Sequence, residues 1–411
     1  MDYPPEASFR FVDGILLRLR SGILPAVSAA LFLLFPPSGS LAHGREIAGD
    51  ATFREEVVLP KGETWRVLPG ATIRFPRGIL IVRGDLVVEG TADRPVRILA
   101  GDDFEGLDIR GGGHAAVSHA VIEGGRIGAN VTGAQARFRQ VRWVNNGMGL
   151  VVNPYAAATV EGCAFESPER VGILVKRGGR ARVTGSRFEG AGKAGIYVFG
   201  ADNVVVRDSR FERNRAGMIV SMAGARPVVE GCEFRKNEAG LRAEKRAAPE
   251  VRGSGFEENE VGLLFSRRAE GRVAESRIRG NGDGVMVEYS SYPVFRRNRF
   301  EDNSGMAVRL RNQSSEWEEE RGETDREVPD RTSPFGSPPS GREGFRPAGA
   351  GSAPGARKGL DGTVDFRDND WGPDAEIASR GGNLPSIHDG TDEPTFPYKG
   401  KEYRMDRVRL R

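Results

Sequence analysis

The sequence contains few residues of the kinds that hold metals. Its 411 residues include two cysteines, four histidines and seven methionines, and of the histidines only His114 and His119 lie close together. A copper or similar centre needs several such ligands in a cluster, so the sequence argues against one. We interpret His114 and His119 as surface residues.

Neither sign of charge dominates the chain, and no long hydrophobic run appears near its start. The 60 basic and 57 acidic residues are mixed along the sequence and leave a net charge of +3. This balance argues against a nucleic-acid-binding protein, which would concentrate basic residues on one face. The apolar run at residues 23–35 has about 13 residues, fewer than the roughly 20 of a membrane-spanning helix.

The N-terminal residues have the organisation of a secretory signal. Arg10, Arg18 and Arg20 precede the apolar run, and small residues close it before Ala42. This pattern predicts a signal peptide at residues 1–42 and an exported protein, periplasmic or extracellular, that is not an integral membrane protein after cleavage. An uncleaved anchor is the alternative. We expect no lipoprotein anchor, because no cysteine lies near the cleavage point.

A bulky anchor residue returns every 21 to 23 residues. One repeat begins Ser209-Arg-Phe211-Glu-Arg-Asn214-Arg-Ala-Gly217 and the next begins at Cys232. Such a period predicts a solenoid. The anchors are Ile122, Trp143, Phe165, Phe188, Phe211, Phe234, Phe256, Ile278 and Phe300, with Phe366 after an interruption.

Apolar residues alternate along short runs within each repeat, which predicts three short strands per turn rather than helices. Two rows should point inward and stack from coil to coil. The row five residues before the anchor is Phe138, Val160, Val183, Val206, Val229, Val251, Val273 and Phe295. The row about seven residues after it is Leu150, Ile173, Ile196, Met218, Leu241, Leu263 and Val285.

Asparagine recurs three residues after the anchor. We predict a tight corner with left-handed backbone at this position, which asparagine tolerates, and hydrogen bonds between stacked asparagine side chains. The row is Asn146, Asn214, Asn237, Asn259, Asn281 and Asn303.

With these features the chain resembles the right-handed parallel β-helix superfamily, the pectin-lyase-like fold, over roughly residues 50–405. The opening from Leu68-Pro-Gly70 to Arg94-Pro95 and the closing Asn369-Asp-Trp371-Gly372 are similar to the first and last coils of secreted members. The resemblance implies an all-β, single-stranded right-handed parallel β-helix of about 11–13 coils. It names no reaction, because lyases, hydrolases, epimerases, adhesins and scaffolds share this fold.

The period also sets the domain organisation. We predict a β-helix over residues 43–310, a final coil over 363–382 and a C-terminal cap over 383–411. Between them, residues 311–362 are rich in proline, glycine, serine and charge. They are predicted to be a disordered insertion, with a lid over a binding face as the alternative.

The two cysteines occupy the same position in coils three apart. Ser186 and Ser209 hold that position in the coils between Cys163 and Cys232. With coils stacked about 4.8 Å apart, the cysteines should lie roughly 14 Å from each other, too far for a disulfide. We predict two buried free thiols.

One outward row is apolar. Strand alternation places it on the surface, where it predicts a partner contact, a dimer contact or a surface covered by the chain itself. The row is Val151, Leu174, Tyr197, Ile219, Leu264, Met286 and Val308, with Arg242 as its only charged member. Beside the anchors run ladders of arginine and glutamate, which we interpret as structural ion pairs.

A second outward face carries arginines with interspersed glutamates. It includes Arg137, Arg139, Arg182, Arg207, Arg252, Arg272 and Arg296, with Glu161, Glu230 and Glu250. In resembling pectate lyases, paired carboxylates hold Ca²⁺ against a uronate and an arginine removes a proton. Glu230 and Glu250 could be such metal ligands and Arg207 or Arg252 such a base, although ion pairing between coils explains the same residues.

Motifs of other resembling enzymes are missing. Gly113-His114-Ala115 is not the Gly-His-Gly of polygalacturonase-like members, and the Asp-Pro-His of alginate epimerases is absent. We therefore predict an exported scaffold or binding protein without a cofactor, contacting acidic polysaccharide or an envelope partner through Arg182, Arg207, Arg252, Arg272 and Arg296. The alternative is a Ca²⁺-dependent uronate lyase.

Overall fold

The computed structural model describes residues 44–321 and 359–411. These residues form an all-β parallel solenoid of about 12 turns, which confirms the predicted fold class. The predicted signal peptide lies outside the described residues. Among the residues described, no helix is long and apolar enough to cross a membrane.

The strands follow one another with short corners between them. From the N-terminus they are β1 Gly44–Ile47, β2 Asp50–Thr52, β3 Val57–Leu59, β4 Thr64–Val67, β5 Thr72–Val82, β6 Asp85–Glu89, β7 Val96–Arg110, β8 His114–Ser118, β9 Ala120–Glu123, β10 Ile127–Thr132, β11 Gln135–Arg139, β12 Arg142–Val144, β13 Met148–Val152, β14 Ala157–Glu161, β15 Ala164–Glu166, β16 Val171–Lys176, β17 Arg180–Thr184, β18 Arg187–Glu189, β19 Ala194–Phe199 and β20 Val204–Arg207. They continue with β21 Arg210–Glu212, β22 Ala216–Ser221, β23 Val228–Glu230, β24 Glu233–Arg235, β25 Ala239–Glu244, β26 Glu250–Arg252, β27 Gly255–Glu257, β28 Val261–Ser266, β29 Arg272–Ala274, β30 Arg277–Arg279, β31 Asp283–Glu288, β32 Val294–Arg296, β33 Arg299–Glu301, β34 Val308–Arg311, β35 Thr363–Asp365, β36 Ile387–His388, β37 Thr395–Tyr398, β38 Lys401–Arg404 and β39 Arg407–Arg409. The helices are α1 Ser315–Arg321, a 3₁₀ turn Gly372–Asp374 and α2 Ala375–Ser379.

Each turn contributes one strand to each of three parallel stacks. The first sheet has 14 strands, in the order β1-β4-β6-β8-β11-β14-β17-β20-β23-β26-β29-β32-β35-β39. The anchor stack consists of short strands from β9 and β12 to β30 and β33, and the third stack runs from β10 and β13 to β31, β34 and β36. The long strand β7 pairs with both β9 and β10, so it joins the last two stacks into one sheet.

The predicted inward rows form the core. Val206 and Met218 are completely buried, as are their counterparts in neighbouring coils. Phenylalanine rings at the anchor position stack face to face, with centroids 4.8 Å apart for Phe188 and Phe211 and 4.6 Å apart for Phe211 and Phe234. The coil spacing of a parallel β-helix thus matches the stacking distance of aromatic rings.

The left-handed corner lies one residue earlier than we predicted. The positive φ belongs to the residue before the asparagine, for example Arg213 at 54°, Lys236 at 54° and Glu258 at 55°. These side chains are exposed, whereas Asn237 is buried. The asparagine is required for its amide group and not for its backbone conformation.

Stacked asparagines form a buried hydrogen-bonded ladder, as we predicted. The Asn237 carboxamide oxygen accepts from the backbone N–H (2.9 Å) and the side-chain amide (3.0 Å) of Asn214. The Asn237 Nδ2 donates to the Phe211 carbonyl (3.0 Å) and to the Asn259 Oδ1 (2.9 Å). A second ladder runs through the cysteine position, where the Ser209 Oγ accepts from the Ser186 N–H at 3.1 Å.

Both cysteines are free and buried, which confirms the prediction from register. Burial raises the pKa of the Cys163 thiol to about 11 and that of Cys232 to about 12. Neither thiol is a thiolate at neutral pH, so both should be inert.

Thiol labelling checks this arrangement. Because both sulfurs are buried and protonated, neither cysteine should react with a thiol-specific reagent in the native protein at neutral pH. Both should react in concentrated guanidinium chloride. A native disulfide found by mass spectrometry, or rapid native labelling of either residue, would contradict both the register and the burial.

The final coil corrects one anchor. Phe366 does not continue the anchor row: its ring stacks on Phe295, with centroids 4.4 Å apart. The anchor of this coil is Trp371, which stacks on Phe300 at 4.6 Å. The error arose because the sequence offers aromatic residues at both positions, and the interruption removed the spacing that would have distinguished them.

Ordered structure extends beyond the predicted boundary at residue 310. Helix α1 lies within residues 311–362, the segment predicted to be a disordered insertion. Its Trp317 and Glu318 are buried. Glu318 forms an ion pair with Arg268 of the corner between β28 and β29. The rest of that segment, residues 322–358, lies outside the described residues. The C-terminal residues add the antiparallel hairpin β37–β38, whose Tyr403 is fully buried.

Candidate functional site

The outer face of the first sheet carries arginines because its strands alternate inward and outward. On β11 and β17, Phe138 and Val183 point into the core, and Arg137 and Arg182 are exposed. These two arginines belong to one outward row, since both register with Thr159 on the strand between them. With strands about 4.8 Å apart, they lie roughly 10 Å from each other along the solenoid.

Four arginines on β11 and β17 carry no ion pair within the described parts of the chain. We call Arg137, Arg139, Arg180 and Arg182 the arginine patch; all four are exposed. Register explains the lack of partners for Arg137 and Arg182, whereas Arg139 registers with Glu161 without forming an ion pair with it. Arg182 is flanked by Thr159 and Val205, and Arg137 by Ala116 and Thr159.

Most of the arginines further along the sheet are paired with carboxylates. The Arg207 Nε lies 2.7 Å from the Glu230 Oε2. Arg252 and Arg297 both donate to Glu275, at 2.8 and 2.7 Å, and these hydrogen bonds lower the pKa of that carboxyl group. In the last coils Arg296 is bound by Asp365, whereas Arg272 is exposed. The predicted binding face is thus divided into an unpaired and a paired part.

The structure places three of the four candidate lyase residues in one outward row and the fourth, Glu250, in another. Glu230 registers with Arg207 on one side and Arg252 on the other, and Glu250 lies in a different row, between Val228 and Arg272. No group of three or more histidine, cysteine or carboxylate side chains placed to hold a metal ion occurs in the described residues.

The charged ladders beside the anchors form ion pairs between coils. Arg142 binds Glu166 through two hydrogen bonds of 3.1 and 2.8 Å, and the Arg210 Nε lies 3.0 Å from the Glu233 Oε2. The pair with Glu166 raises the pKa of Arg142. These contacts have the geometry expected of a solvated structural surface.

The apolar row is not an exposed stripe. Val151, Ile219, Leu264 and Met286 are between 2% and 8% exposed, and Leu174 and Tyr197 are half-buried. All of them except Val151 pack with apolar residues near the start of the strands of this stack: Val171, Ala194, Ala216, Ala239 and Val261. Val308 does not belong to this row, because it registers with inward-pointing Val285 and is fully buried.

A buried polar network beside that row escaped the sequence analysis. The Lys193 ammonium lies 4.6 Å from the centre of the Tyr197 ring, and the Ser221 Oγ donates to Glu244 at 3.1 Å. Arg242 pairs with Glu244 at 2.6 Å. Burial lowers the pKa of Lys193 and raises that of Tyr197. Its members come from three successive coils, so no local sequence motif indicates it.

Two residues of the arginine patch region were also missed. Arg180 lies two positions before Arg182, so the same alternation that exposed Arg182 would have identified it. Tyr155 is 86% exposed at the corner that leads into β14. The signal for Tyr155 was its place directly after Pro154, where a turn is expected and glycine is usual.

The family model described as a right-handed beta helix region matches residues 105–255 and 224–318, which together span just over half of the chain. A comparison with curated proteins finds no significant match. Among solved structures, the catalytic domain of a GH87 α-1,3-glucanase in complex with nigerose has 10% identity and a TM-score of 0.43, over 65% of this chain and 61% of that domain.

Two further structures align with this chain. The A-module of the mannuronan C-5 epimerase AlgE6 of Azotobacter vinelandii has 12% identity and a TM-score of 0.37, over 59% of this chain and 90% of the module. Pectate lyase Pel9A has 16% identity and a TM-score of 0.30, over 64% of this chain and 75% of the lyase. Similarity of this degree does not carry an activity over to this chain. From its parallel β-solenoid and the family match, the protein belongs to the right-handed β-helix family.

Proposed function

We propose that the protein is an exported binding protein that holds an acidic polysaccharide against the arginine patch. The observation that carries this proposal is the set of four exposed arginines, Arg137, Arg139, Arg180 and Arg182, which have no ion-pair partner among the described residues. On the same sheet, Arg207, Arg252 and Arg296 are each bound by a carboxylate of the next coil. An unpaired cluster is free to bind an external anion.

The chemistry of the patch suits a chain of carboxylates or sulfates. A guanidinium group forms two parallel hydrogen bonds with either anion, which gives direction as well as charge. Rows of arginine on a β-helix repeat at the strand spacing of about 4.8 Å or its multiples. A linear polymer with regularly spaced acidic groups can therefore contact several arginines at once.

Retention on immobilised pectate, alginate and a glycosaminoglycan tests the proposal with the purified protein. The double variant Arg137→Gln/Arg182→Gln should bind the preferred polymer at least about tenfold more weakly, because charged hydrogen bonds are lost at two sites. Added salt should weaken wild-type binding.

The matched control is Arg210→Gln, which removes an equally exposed arginine that is already paired with Glu233. It should bind like the wild type. Equal retention of wild type and double variant, or no retention of any polymer, would contradict the proposal. A rise in ultraviolet absorbance from unsaturated uronate, lost in Arg252→Ala, would instead establish the lyase.

A further inference from the structure

Tyr155 occupies a turn position where glycine is the usual residue. The Ala156 N–H donates to the Asn153 carbonyl at 3.2 Å, which closes a turn through Pro154 and Tyr155. Proline fixes φ near −65°, and Tyr155 has φ +62°, the combination of a type II turn. In the next coil the corresponding position is Gly178, with φ +76°. A bulky residue is less favourable than glycine in this conformation, although other corners of the chain also hold bulky residues at positive φ, for example Met222 at 81° and Tyr289 at 53°.

Packing does not account for the tyrosine. The side chain is 86% exposed, and within the described ranges its ring stacks on no other aromatic ring and lies under no cation. Glycine, which occupies the corresponding position of the next coil, would suit the turn as well as tyrosine or better. The position therefore holds an exposed aromatic ring that neither the turn nor the packing of the fold requires.

The ring lies at the edge of the arginine patch. The Tyr155 N–H donates to the Gly178 carbonyl at 3.1 Å, so the two corners are direct neighbours. Arg177 precedes Gly178, and Arg180 follows two residues later, in register with Ala157. Tyr155 is thus within a few residues of both, on the path from the third stack to the first sheet.

A second exposed aromatic residue shares this corner. Phe199 is 39% exposed and registers with Lys176 of the preceding coil. It therefore lies two coils after Tyr155. In the described part of the chain only four large apolar side chains are exposed, the other two being Val58 and Ile377. Two of these four side chains, Tyr155 and Phe199, lie beside the arginine patch. This combination distinguishes the corner from the rest of the described surface.

We propose that Tyr155 is a stacking surface for a sugar ring of the bound polymer, with Phe199 as a second contact. An aromatic ring offers a flat apolar face with low conformational entropy, and the C–H face of a pyranose ring is its complement. The arginine patch would bind the acidic groups of the same chain. This inference rests on the proposed function and narrows the ligand to an acidic polymer built of sugar rings, such as a polyuronate, rather than any polyanion.

The test compares Tyr155→Gly with the wild type on alginate, on pectate and on inorganic polyphosphate, which carries charge but no rings. Tyr155→Gly should fold with equal or higher thermal stability, because glycine suits the turn. It should bind the preferred polyuronate about tenfold more weakly. Its binding to polyphosphate should equal that of the wild type, and Tyr155→Phe should bind the polyuronate more tightly than Tyr155→Gly does.

The outcomes separate this inference from the function on which it rests. If Tyr155→Gly binds both polyuronates like the wild type while Arg137→Gln/Arg182→Gln is weakened, the stacking surface is wrong and the arginine patch stands. If Tyr155→Gly weakens polyphosphate binding equally, the ring does not recognise sugar. If the wild type binds neither polyuronate, both proposals are wrong.

Discussion

Replacing Phe211 with alanine should lower the free energy of unfolding by about 3–5 kcal/mol. The ring is fully buried between Phe188 and Phe234. It also packs against glycines of the third stack: a Cβ built on Gly195 would lie only 2.9 Å from the Phe211 ring. Because stacked backbones enclose the ring, neighbouring residues cannot move far into the cavity that alanine leaves.

Urea denaturation followed by circular dichroism would measure the loss. The matched control is Phe199→Ala, the same substitution at a side chain that is 39% exposed, which should change stability by no more than about 0.5 kcal/mol. A similar loss for both variants would mean that the aromatic stack is not a main source of stability.

Replacing Asn237 with alanine should lower the free energy of unfolding by about 2–4 kcal/mol. The side chain makes four hydrogen bonds, and its removal leaves the Phe211 carbonyl and the Asn214 N–H buried with fewer partners. The volume removed is small. The loss would therefore come from unsatisfied polar groups rather than from an empty cavity.

The end of the same ladder supplies the comparison. Asn303 is half-buried and has no further asparagine beyond it in this row; its Nδ2 donates to the Ile278 carbonyl at 3.1 Å. Because water can reach the groups left behind, Asn303→Ala should lose about 1 kcal/mol. If the two variants lose equal stability in denaturant titrations, the burial of the ladder does not determine its contribution to the free energy of unfolding.

The fold could be predicted because one repeat recurs many times in the sequence. Phe211 alone says little, but nine anchors at one spacing define the strands, the inward rows and the coil length. Prediction failed where the repetition stopped. Beyond the interruption two aromatic residues, Phe366 and Trp371, competed for one position, and only the stacking on Phe295 and Phe300 decides between them.

The candidate site was less accessible to sequence analysis, because charge pairing depends on the neighbouring coil. In the sequence, Arg182 and Arg207 both appear simply as outward arginines of the first sheet. The structure places Glu230 beside Arg207, but Thr159 and Val205 beside Arg182. Aligning the repeats by register, rather than reading each repeat separately, would have shown which arginines lack a partner. The exposure of Tyr155 depends on how its corner packs against neighbouring coils, which no spacing reveals.

The ladders also determine how such a chain can change length during evolution. Each asparagine, serine and phenylalanine finds its partner one full coil away, so losing a single residue within a strand would misalign every ladder at once. Gaining or losing a complete coil would leave each side chain in register with the same type of residue in the neighbouring coil. Corners are the exception: between β32 and β35 the register runs from Val294 to Asp365, a connection far longer than one coil, and the sheet continues. Whole coils and corner insertions are therefore the steps by which this architecture can diversify.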